Sequence, residues 1–242
     1  MTTSIRGQLV RALVGSAVTL MLVLPAAAQD CPQLLGRWPY GTASAVAVAG
    51  SLAFVDSGTV LLVLDVSDPE SPQLLGSVTL PELVEAIAAA GSHVYVADGM
   101  SGLRVIDVSN PSAPVEVGVS DVTDEGAYDV AVAGSRAYVA YGTLGLRVID
   151  VGVPSLPVVV GAVDTPDSAM GVAVAGSHAF VADGGSGLRV ISIANPAAPV
   201  EVGAIDTPGS ALDVAVSGSH ALVADSYAGL RVISVANPAA PA

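Results

Sequence analysis

Residues 102–118 read GLRVIDVSNPSAPVEVG, and close copies of this stretch recur along the chain. GLRVIDV returns at Gly145, GLRVISI at Gly187 and GLRVISV at Gly229, while LLVLDVSDPESPQLLG begins at Leu61. The second proline of each copy recurs every 42 or 43 residues, at Pro72, Pro114, Pro157, Pro199 and Pro241. A fixed period in this range indicates an array of stacked or ring-arranged units.

Each repeat has the composition of strands and turns. Short runs of Val, Ala and Ile are separated by Gly, Pro, Asn and Asp, which excludes helical arrays of similar period. In the unit that ends at Gly118, this pattern predicts four strands, at residues 86–90, 93–97, 103–108 and 115–117.

The turns between these strands have their own signatures. A Gly-Ser step joins strands one and two in every unit and predicts a type II′ hairpin, because glycine takes a positive φ without a Cβ clash. These glycines are Gly50, Gly91, Gly134, Gly176 and Gly218. Asn-Pro-x-x-Pro joins strands three and four, as at residues 110–114, where Asn folds onto the backbone and the prolines withhold N–H donors.

Five four-stranded units of about 40 residues predict an all-β fold, a β-propeller with radial sheets around a channel. The innermost strands carry a small residue at equivalent sites, as expected where sheets converge: Ala47, Ala88, Ala131, Ala173 and Ala215. Residues 31–38, CPQLLGRW, match the fourth strand at 71–78, SPQLLGSV, and the sequence stops after a third strand. We therefore predict five four-stranded blades over residues 31–242, closed by the N-terminal strand, which completes the last blade. A fragment of a larger ring is the alternative.

The units resemble the LVIVD-type repeats of bacterial and archaeal surface proteins. The signature reads Leu103-Arg104-Val105-Ile106-Asp107, and the resemblance covers nearly everything after residue 30. It implies a propeller fold and a surface or secreted location, and it carries no catalytic motif. In two places the chain departs from its own pattern: Leu62 replaces the Arg, and Tyr141 replaces the Asp that ends the second strand.

The N-terminus is typical of secreted proteins. Residues 1–28 predict a signal peptide, with Arg6 and Arg11 before an apolar run at 12–24 and a small-residue cleavage site at 26–28. We expect a secreted protein, extracellular, periplasmic or at the cell surface. Cys31 is the single cysteine, so no intramolecular disulfide forms, and we interpret it as an incidental residue.

The charge of the chain restricts its partners. The formal net charge is −14, there is no lysine, and only six arginines face 22 acidic residues after the signal peptide. Nucleic acid and anionic membrane surfaces require basic patches and are therefore poor partners. We expect no nucleic-acid partner and no membrane insertion. A protein or glycan partner remains open, and a cation is possible. The alternative explanation of the acidity is solubility. We expect no cofactor.

Alternating strand directions place the loops on two faces. One face carries His93, His178 and His220, but ligands on separate blades diverge, whereas zinc needs them all within about 2.1 Å, so we predict no metal site there. The other face is acidic and holds the candidate ligand-binding residues Glu85, Tyr128, Asp129, Tyr141, Asp213 and Tyr227. The alternative interpretation is that its carboxylates cap strand ends and form a solvated rim.

Recognisable catalytic patterns are absent: the sequence holds no GxSxG elbow, HExxH helix, phosphate loop or EF-hand. We predict a non-enzymatic scaffold. The alternative is a glycoside hydrolase or lyase in which Asp129 and Asp213 form an acid–base pair.

The arginines of the third strands are predicted to be structural. In three units the neighbouring strand ends in an aspartate, which predicts the cross-strand ion pairs Arg104–Asp98, Arg189–Asp183 and Arg231–Asp225. Arg147 lacks this partner because of Tyr141, and a partner on the next blade is the alternative.

Overall fold

The computed structural model describes residues 34–37, 42–120 and 125–242. The predicted signal peptide and Cys31 lie outside these ranges. The chain divides into two units, residues 1–34 and 35–242, and every described strand lies in the second. The helical content of the described part is one 3-10 turn, Ser226–Ala228, and no helix there has the length and apolar character needed to cross a membrane.

The structure is all-β, and each repeat forms its own antiparallel sheet with the strands in chain order. Sheet 1 contains β1 (Val46–Ala49), β2 (Leu52–Ser57), β3 (Val60–Asp65) and β4 (Gln73–Thr79). Sheet 2 contains β5 (Ala86–Ala90), β6 (His93–Ala97), β7 (Leu103–Asp107) and β8 (Val115–Ser120). Sheet 3 contains β9 (Asp129–Ala133), β10 (Arg136–Ala140), β11 (Leu146–Asp150) and β12 (Val158–Val163). Sheet 4 contains β13 (Ala169–Ala175), β14 (His178–Asp183), β15 (Leu188–Ser192) and β16 (Val200–Ile205). Sheet 5 contains β17 (Asp213–Ser217), β18 (His220–Ala224) and β19 (Leu230–Ser234).

The fourth strand of sheet 2 is longer than the sequence predicts, and it contains a bulge. In sheet 2, Val105 pairs with Gly118 and Ile106 with Glu116, so Val117 is the extra residue. The same register shift occurs in sheets 1, 3 and 4. A bulge lets pairing continue past the glycine that ends the apolar run, and β8 therefore extends to Ser120.

Both predicted turns are confirmed. The first-turn glycines have φ between +58° and +61°, while Ser226 is the one non-glycine residue of the described ranges with positive φ, so the hairpins are type II′. In the turns between strands three and four, the asparagine Oδ1 accepts a hydrogen bond from the N–H two residues on. The pairs are Asn110–Ser112, Asn195–Ala197 and Asn237–Ala239.

Neighbouring sheets pack face to face through four apolar layers. Between sheets 2 and 3, Leu103 and Val105 lie on one side, and Val139 and Ile149 on the other, all fully buried. These layers supply the main stabilising free energy, at roughly 25 cal/mol per Å² of apolar surface removed from water.

The sheets also touch at their outer edges through glycine. A Cβ on Gly118 would overlap the carbonyl oxygen of Pro154, which belongs to the turn between strands three and four of sheet 3. The equivalent contacts recur as Gly76–Pro111, Gly161–Pro196 and Gly203–Pro238. Gly36 lies in the same way against Pro69 of sheet 1. Leu35–Arg37 therefore lie against sheet 1 in the position that the fourth strand of each other sheet occupies against the next sheet.

The two ends of the array have open faces. Leu230 and Val232 of sheet 5 are 64% and 61% exposed, whereas their equivalents Leu103 and Val105 are fully buried. On sheet 1, Val46 and Val48 are 65% and 63% exposed. In the described residues sheet 5 has three strands, and Ser234 exchanges backbone hydrogen bonds with Ala242. The array is thus four four-stranded sheets and one three-stranded sheet. Residues 31–33 and 38, half of the segment predicted to complete it, lie outside the described ranges.

Candidate functional site

The inner strands of all five sheets begin around one cavity of about 310 Å³. Four of the six predicted site residues line it: Glu85, Tyr128, Asp129 and Asp213. The prediction that inner-strand starts converge is therefore correct for these four. Their ligand-binding role stays a prediction.

The lining uses two neighbouring positions of the repeat. Asp129 and Asp213 begin β9 and β17, and Ala45 and Ala86 hold the equivalent position in sheets 1 and 2. The residue before this position lines the cavity in every sheet: Ser44, Glu85, Tyr128, Met170 and Leu212. Sequence reasoning selected Glu85, Tyr128, Asp129 and Asp213, and it missed Ser44 and the apolar residues. The signal for them was their position, because Met170 and Leu212 hold the place of Glu85 and Tyr128 in their own repeats.

Asp129 links two sheets. Its Oδ1 accepts a 2.7 Å hydrogen bond from the N–H of Val130, and its Oδ2 accepts another of 2.7 Å from the N–H of Val172 in sheet 4. Burial raises the pKa of Asp129 to about 6; the two N–H donors lower this pKa, and the nearby charge of Asp213 raises it. Asp129 thus both positions the backbone and faces the cavity.

Asp213 is more exposed and makes fewer contacts. Its Oδ1 accepts a 2.7 Å hydrogen bond from the N–H of Val214, which matches the bond from Val130 to Asp129. Since Asp213 is exposed at the cavity, it remains accessible to a ligand.

The other two predicted residues lie elsewhere. Tyr141 is fully buried in the layer between sheets 2 and 3, and its hydroxyl donates a 3.3 Å hydrogen bond to the carbonyl oxygen of Ser120. Tyr227 is 85% exposed, and its hydroxyl donates to the carbonyl oxygen of Pro208 at 2.7 Å. Neither belongs to the cavity lining. Tyr141 replaces an aspartate that is buried in the other sheets, so the repeats share one buried position there.

The aspartates at the ends of the second strands fasten the preceding loops. Asp183 accepts hydrogen bonds from the Thr165 hydroxyl at 2.6 Å and from the N–H of Asp167 at 3.1 Å. Asp225 makes the same pair of bonds, with Thr207 and Gly209. Asp56 accepts from the N–H groups of Ser44 and Ala45. These carboxylates are 0–3% exposed, which supports the strand-end cap interpretation.

Asp98 lacks one of these donors. Leu80 stands where the other loops have Thr165 and Thr207, so no hydroxyl reaches the Asp98 carboxylate. Burial raises the pKa of Asp98 to about 6, and the Arg104 guanidinium, with Nε at 3.4 Å, offsets part of this rise.

The three predicted arginine pairs are present, with N–O distances of 3.4 Å for Arg104–Asp98, 3.6 Å for Arg189–Asp183 and 3.2 Å for Arg231–Asp225. The next-blade alternative for Arg147 is wrong. Arg147 pairs at 3.1 Å with Asp164, which follows β12 in the same repeat. Arg189 makes the equivalent contact with Asp206 at 3.2 Å in addition to its pair with Asp183, so this loop contact does not depend on Tyr141.

The turn histidines do not converge. The imidazole Nδ1 of each lies 3.2–3.4 Å from the hydroxyl of the preceding serine. Across the described ranges, no group of three or more His, Cys, Asp or Glu side chains is arranged to hold a metal ion.

The raised pKa values predict how stability depends on pH. Asp98 and Asp129 have folded-state pKa values of about 6 against an ordinary 3.8, so between about pH 4 and 6 the folded state holds protons that the unfolded state has released. Stability should therefore fall as pH rises through this window, by roughly 3 kcal/mol for Asp129.

Urea unfolding measured from pH 4 to 7.5 checks this result. Asp129→Asn should reduce the slope between pH 4 and 6, because the amide does not titrate there. A free energy of unfolding that rises from pH 5 to 7 would contradict the prediction.

Comparison with known families identifies the repeat. Matches to the LVIVD repeat family cover residues 40–80, 84–122, 126–165, 166–207 and 208–242. The chain belongs to the LVIVD repeat family. Each sheet of this LVIVD repeat protein corresponds to one matched repeat, as the sequence resemblance implied. No curated protein matches the chain.

Among solved structures, the LVIVD repeat protein is similar to the crystal structure of the computationally designed Ika8 protein. The TM-score is 0.55 at 9% sequence identity, and the match covers 82% of this chain and 72% of the designed chain. At this identity the likeness concerns the fold alone.

Proposed function

We propose that the LVIVD repeat protein is a non-enzymatic binding scaffold whose partner docks at the cavity between the inner strands. The observation that carries this proposal is the convergence of Glu85, Asp129 and Asp213 with Tyr128 on one concave surface. No arginine of the described ranges lines this cavity, so the carboxylates are not neutralised there.

The lining favours certain chemical classes of partner. Three carboxylates accept hydrogen bonds from ammonium, guanidinium or hydroxyl groups, and Tyr128 provides an aromatic surface beside them. Met170 and Leu212 add apolar contacts. A basic protein segment and a neutral glycan both fit this combination, and a free cation fits the carboxylates alone.

The scaffold is proposed to be a five-bladed propeller, closed where sheet 5 meets sheet 1. Gly36 supports this closure because Leu35–Arg37 already occupy a fourth-strand place beside sheet 1. Val46 of sheet 1 and Val232 of sheet 5 lie on exposed sheet faces that are apolar, like the faces that pack together between the other sheets. If the ring closes, the Val46 N–H would be placed to donate a hydrogen bond to Asp213, as the Val172 N–H donates one to Asp129.

The location is proposed from the N-terminal sequence. Basic residues, an apolar run and a small-residue site in residues 1–28 support export from the cytoplasm. The scaffold would then meet its partner outside the cell, at the cell surface or in the periplasm.

Ligand-dependent melting tests the binding proposal. We expect at least one of divalent cations, oligosaccharides or basic peptides to raise the Tm of residues 29–242, by about 5–10 °C at 100 times Kd. The shift should disappear in the double variant Asp129→Ala/Asp213→Ala, because both carboxylates line the cavity.

The matched control is Asp164→Ala/Asp206→Ala, which removes two carboxylates that are 77% and 81% exposed and lie outside the cavity lining. It should keep the ligand shift. A panel without any shift, or equal loss in both double variants, would count against the proposed site.

The alternative is a carbohydrate-active enzyme, and the pKa of Asp129 favours it. A carboxyl with a pKa of about 6 beside a second carboxylate resembles the acid of a glycosidase. Against this, both oxygens of Asp129 accept backbone hydrogen bonds. Release of reducing sugar that Asp129→Asn abolishes would establish the enzyme, and ligand binding without release would establish the scaffold.

A further inference from the structure

The third repeat is apolar at three outer positions where the second and fourth repeats are polar or small. Val153 replaces the turn asparagine, Leu156 replaces an alanine, and Val159 replaces a glutamate. The equivalent residues of the second and fourth repeats are Asn110, Ala113 and Glu116, and Asn195, Ala198 and Glu201. Because the repeats share one fold, these neighbours serve as internal references for the third.

Two of these residues lie in one exposed patch. Val153 and Leu156, together with Val158, define what we call the third-repeat patch, whose members are 48–67% exposed. Val159 pairs with Ile149, so its side chain lies on the opposite face of sheet 3 from Val158. Val153, Leu156 and Val158 line a cavity of about 590 Å³ on the outer side of sheet 3. Contiguous apolar surface of this kind marks interaction sites on soluble proteins.

Folding does not account for these replacements. Val153 cannot accept the turn hydrogen bond that Asn110 Oδ1 accepts from Ser112. Val159 cannot form an ion pair of the kind that joins Arg104 to Glu116 at 3.4 Å. The third repeat has lost two polar contacts and gained exposed apolar surface, which favours a role in association.

The charges around the patch indicate its occupant. Arg136 and Asp150, 3.0 Å apart, are the charged residues of the described ranges that line this cavity. The patch is therefore locally neutral on a chain of net charge −14, and a second acidic copy meets no net repulsion there. A two-fold axis would place Arg136 of each copy opposite Asp150 of the other, the self-complementary arrangement of a symmetric dimer.

We propose that two copies of the LVIVD repeat protein associate through the third-repeat patch. Side chains, rather than strand pairing, make the contact. The outer strand β12 is bulged at Val160, and the turn of sheet 4 covers Gly161, so the strand edge is protected. This dimer is independent of the ligand cavity.

Sedimentation velocity of residues 29–242 over about 5–500 µM tests the dimer, a range chosen because small interfaces bind weakly. We expect a monomer–dimer equilibrium for the wild type and a monomer throughout for the triple variant Val153→Asn/Leu156→Ala/Val159→Glu. The triple variant should fold, since it introduces the residues of the second repeat, and its Tm should match or exceed that of the wild type.

The matched control is Leu74→Glu, the same change at the position of the first repeat equivalent to Val159. Leu74 is 47% exposed, and its replacement should leave association unchanged. A monomeric wild type at every concentration, a triple variant that still dimerises, or equal dissociation by Leu74→Glu would overturn the proposal.

Charge exchange tests the two-fold arrangement. Arg136→Glu should weaken the dimer at least tenfold, because it leaves four acidic side chains at the interface. Arg136→Glu/Asp150→Arg should restore the dimer by reversing both charges. Failure of the double exchange to restore association would overturn the symmetric arrangement.

Discussion

Replacing Gly118 with alanine is expected to lower the free energy of unfolding by about 2–3 kcal/mol and the Tm by roughly 4–12 °C. The added Cβ would overlap the carbonyl oxygen of Pro154, with Pro157 Cδ 3.0 Å away. Since the obstacle is backbone, no rotamer change relieves the overlap, and sheets 2 and 3 must move apart. Thermal and urea unfolding of the purified variant measure the effect.

Gly91→Ala is the control for this substitution. Gly91 has φ of +60°, but its Cβ position faces open space, so alanine there costs only conformational strain of about 1–2 kcal/mol. The two effects also differ in kind. Gly118→Ala should disturb the angle between sheets and therefore the cavity, whereas Gly91→Ala should leave ligand binding intact. Equal stability and equal binding for the two variants would contradict the packing explanation.

Much of the fold was predictable because the unit is repeated five times. Residues that all copies share mark the strands and turns, whereas the other residues differ between copies. Strands at 86–90 and 93–97 are correct to the residue, since Gly-Ser fixes the hairpin between them. The fourth strand was predicted too short because a bulge depends on pairing with β7, and no local residue pattern encodes it. Closure of the ring depends on contacts between residues some 200 positions apart, which periodicity does not specify.

The candidate site was predictable in part for the same reason. Asp129 and Asp213 were placed together because equivalent inner-strand starts must converge in a radial array. The prediction for Tyr141 was wrong because an aromatic residue after a strand was assigned to an exposed loop. The equivalent position is buried in every described sheet that carries aspartate there. Val153 and Leu156 of the third-repeat patch can be recognised in the sequence because they differ from the equivalent residues of other repeats. Their exposure could not be predicted, because it depends on which side of sheet 3 remains uncovered.

Val232→Glu is expected to lower the free energy of unfolding by about 3 kcal/mol or more, because closure of the ring would bury this position without a partner for the charge. In the open array Val232 is 61% exposed, and the same change would fall within about 0.5 kcal/mol of the wild type. The two arrangements therefore predict different unfolding curves for one variant.

Substitutions of two other valines serve as controls for this measurement. Val105→Glu places the charge at the equivalent, fully buried position of sheet 2 and should be severely destabilising in either arrangement. Val115→Glu, at a position 55% exposed on an outer strand, should be nearly neutral in both. All three are best made in the Val153→Asn/Leu156→Ala/Val159→Glu background, so that the proposed dimer cannot bury Val232.

A Val232→Glu variant that unfolds like Val115→Glu would contradict closure. The cavity would then be open between sheets 5 and 1, and Asp213 would be free for a ligand. If the variant instead behaves like Val105→Glu, sheet 1 covers sheet 5 and the Val46 N–H is positioned for Asp213. In that case the two cavity aspartates both brace neighbouring sheets, and Glu85 with Tyr128 becomes the part of the lining most available to a partner.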